Sequence, residues 1–125
     1  MKYILPALGL FFIALFALVL RPVHIPENPD DCLVAKGKVI GIYEAGEHDV
    51  VFKLEDSKTR YYINRGLEQG LVLKELQKKL IGNTIVIRYP KHWTPLDPNN
   101  TTKHLSILEF EGQELYNEID LIHNR

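Results

Sequence analysis

The sequence predicts a mainly β domain, ordered β-β-β-α-β-β, behind one N-terminal transmembrane helix. Three observations predict it. Residues 4–20, ILPALGLFFIALFALVL, carry no charge. Residues 33–63 are short β-branched runs divided by turn-forming residues. Residues 71–81 carry apolar side chains at helical spacing.

The uncharged run has 17 residues, from Ile4 to Leu20. As a helix it would span about 25 Å, the short end for a bilayer crossing. Tyr3 and Arg21 flank it, and Pro6 falls in the first turn, where a missing N–H costs little. An uncleaved signal anchor, a cleaved signal peptide with Lys2 as its basic region, and a buried core helix compete. The run ends FALVLRPV, without the small residues that cleavage needs, so residues 1–21 read as the anchor. Lys2 on one side, and Glu27, Asp30 and Asp31 on the other, favour a cytoplasmic N-terminus. The expected location is therefore a single-pass membrane protein with its C-terminal domain periplasmic or extracytoplasmic.

Residues 22–32 hold three prolines and no apolar periodicity, and read as a spacer. Cys32 is the one cysteine, so no intramolecular disulfide and no multi-cysteine zinc site is available. It reads as a small packed residue at the domain edge, with palmitoylation or an intermolecular disulfide as the sharper readings. Residues 22–125 form the rest, with 13 basic and 16 acidic residues, a net charge of −3. That argues against a strongly basic nucleic-acid binder, and the length of 125 residues argues against a multidomain enzyme.

From Leu33 the elements follow in order. LVAKGKVIGIY, residues 33–43, is a strand with Gly37 and Gly41 inside, where a bulge or bend is expected. VVFKL (50–54) and TRYYI (59–63) are the next two strands. NRGLEQG is a polar loop. LVLKELQKKLI (71–81) is an amphipathic helix with Val72, Leu73, Leu76 and Leu80 on one face and Lys74, Gln77 and Lys78 on the other. Gly82 and Asn83 stop it. TIVIRY (84–89) and HLSILEF (104–110) are strands four and five, separated by a long loop, residues 90–103. EGQELYNEIDLIH reads as a sixth short strand or a last turn of helix.

A helix after the third strand, Gly41 in strand one, and the helix end LIGN before TIVIRY resemble the small membrane- or envelope-tethered OB-fold proteins of bacteria. The resemblance covers residues 33–110 and is one of architecture. It implies a five-stranded OB-like barrel over residues 33–125. It further implies a binding face on strands two and three with the loops 44–49 and 90–103. Members of that group bind oligonucleotides, oligosaccharides, peptides or proteins, and the fold itself supplies no catalytic residue.

The long loop holds the only tryptophan, Trp93, beside His92 and Lys91, a set suited to stacking on a ring. The competing reading is that Trp93 caps the end of the barrel. Tyr61 and Tyr62 are adjacent on a strand and point to opposite faces, one to the core and one outward. Arg65 with Gly66, in the loop 64–68, offers an anion cradle or a plain connection. These five, His92, Trp93, Tyr61, Tyr62 and Arg65, are the candidate binding residues. The five histidines, at 24, 48, 92, 104 and 123, are dispersed, and no metal site, cofactor or catalytic constellation is expected. Asn99 and Asn100 each begin a glycosylation-like triplet.

The function expected is a non-enzymatic binding or assembly module. Its partner would be a protein or glycan of the cell envelope, with the lipid bilayer holding residues 4–20. The alternatives are an envelope hydrolase or metal-dependent enzyme using His92, His104 and Asp97 of the long-loop region, and a cytoplasmic nucleic-acid-binding domain.

Overall fold

Small and β-branched residues build β1 (Leu33–Ala45), a strand long enough to pair twice. The computed structural model describes residues 3–20 and 22–123. Residues 33–38 of β1 pair antiparallel with β4 (Thr84–Tyr89), and residues 39–45 with β2 (Asp49–Leu54). The register shifts between Val39 and Gly41. Val39 and Ile42 are both buried although they stand three apart. Strict alternation would place them on opposite faces, and the bulge reverses the phase between them. A side chain at Gly37 would meet Leu54, its Cβ lying 3.2 Å from the Leu54 Cδ1.

β2 pairs antiparallel with β3 (Arg60–Ile63). A 3-10 turn, Gly66–Gln69, then leads to α2 (Leu73–Leu80), which buries Leu76 and Leu80. Val72 precedes the helix and is exposed rather than on its buried face. Gln77, from the polar face, turns inward and donates to the Ile42 carbonyl at 2.7 Å. Gly82 ends the helix at φ +88°, and its N–H donates to the Val39 carbonyl at 2.8 Å. The core is Phe52, Ile63, Leu80, Ile85, Ile87 and Leu105, all fully buried, with Tyr61 and Tyr116 at its margin.

The expected five-stranded barrel is corrected to a mixed α/β structure with a seven-stranded open sheet, ordered β5-β3-β2-β1-β4-β6-β7. Two local events raise the strand number. The run 104–110 does not behave as one strand. β5 (Thr102–His104) pairs parallel with β3, while β6 (Ile107–Phe110) pairs antiparallel with β4. Leu105 and Ser106 between them donate to the carbonyls of Tyr62 and Arg88, and so divide their bonds between the two neighbours. After β6, Glu111 and Gly112 take φ +53° and +77°, the backbone of a tight hairpin. β7 (Gln113–Asn117) follows as an end strand, and α3 (Glu118–His123) after it. The C-terminal segment is thus both a strand and a helix.

The expected transmembrane signal anchor is corrected as well. Residues 4–19 form α1 (Ile4–Val19), a helix of 16 residues with none buried. At 1.5 Å per residue it is about 24 Å long, short of the ~30 Å hydrocarbon core. Among the described residues no helix is long and apolar enough to cross a membrane. The single-pass, extracytoplasmic topology loses the span on which it rested. Lys2 and Arg21, the flanking charges of that reading, lie outside the described residues.

Before β1, Pro29–Asp31 form a 3-10 turn capped by the Asn28 side chain, which accepts the Asp30 N–H at 3.0 Å. Cys32 is buried with Ile107 and Ile119, and Ile25 packs on them. Burial pushes the Cys32 thiol up from its ordinary range.

Candidate functional site

The loop 90–103 is tied down by its own residues. Asp97 is the centre. One carboxylate oxygen accepts the Thr101 N–H at 2.9 Å and the Thr101 hydroxyl at 2.6 Å, and the other accepts the Thr102 N–H at 2.8 Å. The Thr101 hydroxyl and amide bonds hold the Asp97 carboxyl below its ordinary range. Asn100 takes φ +54°, a conformation asparagine tolerates, and its carbonyl accepts the Thr59 hydroxyl at 2.8 Å. The Arg60 N–H donates to the Thr101 carbonyl at 2.7 Å, which hands the chain over to β5.

On this frame Trp93 is 51% exposed. Its indole Nε1–H donates to the Pro98 carbonyl at 3.3 Å, so the ring is oriented by its own loop. It borders a cleft of about 510 Å³, with Tyr89, Lys91, His92, Asn100 and Lys103 among its walls. The Lys103 ammonium donates to the His92 carbonyl. No carboxylate lines this cleft among the described residues. The indole is not a cap turned into the core.

Of the five candidate residues, the structure brings His92 and Trp93 together here. Tyr61 is buried, its ring 5.3 Å from that of Tyr89, and burial, with Tyr89 beside it, pushes its hydroxyl up to about 12. Tyr61 does not line the cleft, whereas its neighbour Tyr89 does. Tyr62 points the other way, as alternation requires, and stands edge-on to the His104 ring at 5.5 Å. It lines a smaller cleft of about 210 Å³ that shares His92 and Lys103 with the first and is also lined by Asp97 and His104.

Arg65 lies elsewhere. Its backbone is left-handed, its N–H donates to Asp49 at 2.8 Å, and its guanidinium meets Glu47 at 3.1 Å and Glu68 at 3.8 Å. The acids of this loop cluster already occupy the cation. Gly66, read as part of an anion cradle or of a plain connection, packs on Val50 and Ile63.

His92, Asp97 and His104, the set that a metal enzyme would use, do share the smaller cleft. Their polar atoms are engaged differently. Asp97 staples the loop, and the His104 Nε2 lies 2.7 Å from Glu118. Among the described residues no group of three or more His, Cys, Asp or Glu is arranged to hold a metal ion.

The sequence reading missed one buried polar cluster. Glu118, at the start of α3, takes both His104 and the fully buried Ser106 on a single oxygen, at 2.7 and 3.0 Å. A nucleophilic serine needs a base on its hydroxyl. Here the hydroxyl donates to the carboxylate, which stands between serine and histidine. The geometry is that of an anchor for α3. The three residues span 14 positions of sequence with no local spacing signal, so only the pairing of β5, β6 and β7 reveals them.

No family model and no curated protein matches this chain.

Proposed function

We propose that this protein is a non-enzymatic binding module that holds its partner in the cleft beneath Trp93. One observation carries the reading: a half-exposed indole, fixed by its hydrogen bond to Pro98, over a cleft of about 510 Å³ with no carboxylate among its described lining residues. Large aromatic rings usually bury themselves. A ring held open by a stiff loop is preorganised for contact, which lowers the ordering cost of binding. The volume lies within the range of small-molecule and ligand clefts. Pro90, Pro95 and Pro98 restrict the same loop.

Trp93 is the only tryptophan, so its fluorescence reads the cleft without a label. The test is a titration of the full chain with panels of soluble oligosaccharides and short peptides. A saturable change in emission is expected. Calorimetry on Trp93→Ala should show that binding is lost while Tm stays within a few degrees. No saturable change with any member of either panel removes the reading. A Trp93→Ala chain that fails to fold would make the ring structural instead.

A further inference from the structure

Resting on the binding reading above, we infer that the Trp93 cleft selects acidic oligosaccharides, in which a sugar ring lies on the indole and a uronate carboxylate meets Lys91 and Lys103. Charge is the first argument. The whole chain has a net charge of −1, yet the cleft presents two lysines and no lining acid among the described residues. Neither Lys91 nor Lys103 has an ion-pair partner within 4.0 Å among the described residues. Asp97, the nearby acid whose charge Lys103 feels, lines the smaller cleft rather than this one and has its oxygens on Thr101 and Thr102. Lys103 is half-buried, and its ammonium is located by the His92 carbonyl. An ammonium has three donors, so two remain for a ligand.

The second argument is what the walls lack. Leu33 and Tyr89 face each other as paired residues of β1 and β4. Arg60 and Thr101 are likewise bonded to one another. Lys103 stands on β5, the end strand of the sheet, whose three residues give an extended peptide little edge to add to. Recognition must come from side chains: an apolar ring face, two cations, and the amide of Asn100. A sugar offers an apolar C–H face, hydroxyls and, in a uronate, one carboxylate per ring. Single-stranded nucleic acid would call for a longer basic track than two lysines supply.

The probe is tetragalacturonate, titrated against the full chain by Trp93 fluorescence, with maltotetraose as the neutral control and a short oligoglutamate as the acidic peptide. Saturable binding of tetragalacturonate, weakened by added salt, is expected, with maltotetraose at least about tenfold weaker. Lys91→Gln should weaken tetragalacturonate binding several-fold, and adding Lys103→Gln should bring the loss to about tenfold or more. Lys91 is exposed, so the single variant keeps the fold if the double does not. Equal binding of maltotetraose overturns the charge selectivity and leaves the binding reading standing. Binding of oligoglutamate alone overturns the sugar and likewise leaves that reading. Lysine variants that bind tetragalacturonate as the native chain does overturn the assignment of the carboxylate site. Silence from every probe overturns the inference, and the wider panels then decide the binding reading.

Discussion

Gly66 shows how one missing methyl group sets a local structure. A Cβ there would stand 2.9 Å from the Val50 Cγ2 and 3.1 Å from the Ile63 Cγ2. Both neighbours are fully buried and cannot swing aside. Gly66→Ala should therefore cost about 1–3 kcal/mol and lower Tm by roughly 5–15 °C, measured by thermal melting. An unchanged Tm would mean that the 3-10 turn shifts freely. At this scale the sequence was partly legible. Trp93 and His92 stood out because the only tryptophan sat in the longest loop. Alternation predicted that Tyr61 and Tyr62 would part, and they do, one to the core and one to His104. Arg65 was harder to read: Glu68 is three residues on, but Glu47 is 18 residues away and meets it only in the fold. A basic residue beside glycine looks the same whether its charge is spent or available.

Among the elements, α2 was legible because helical spacing is a local property, and its buried Leu76 and Leu80 are four apart. The break between β5 and β6 was not, because it depends on which strands lie alongside. HLSILEF has no proline or glycine to mark a boundary, and the change of neighbour at Leu105 and Ser106 is set by Tyr62 and Arg88. The hairpin at Glu111 and Gly112 had a signal in its glycine, and only its strand partner settled the strand after it. α3 depends on Glu118. Glu118→Ala would leave the buried Ser106 hydroxyl and His104 without their acceptor, an expected loss of about 1–3 kcal/mol by urea denaturation. Glu118→Gln retains one acceptor oxygen and should lose less. If the two variants are equally stable to the native chain, water replaces the carboxylate and α3 needs no anchor.

For the whole molecule, the length of α1 and the strand order are the two corrections that matter. The uncharged run looks long enough to span because composition alone does not stop a helix, while the folded helix ends at Val19. The strand order leaves β5 at one end of the sheet, three residues long, joined to β3 in parallel. That short pair is also a wall of the Trp93 cleft proposed to bind, since Lys103 belongs to it. Short end strands open locally at far lower cost than central ones. If β5 opens in this way, the cleft is complete only while β5 is docked, and the apparent affinity of the proposed site would scale with that fraction. Amide hydrogens of Thr102–His104 should exchange with deuterium faster than those of Val50–Phe52, and a saturating ligand should slow the former and leave the latter unchanged. Equal rates in the free chain would mean that the edge never opens. Where they differ, evolution or design has a lever on the proposed affinity away from any contact: whatever tightens the β3–β5 seam would tighten binding, and loosening it would speed release.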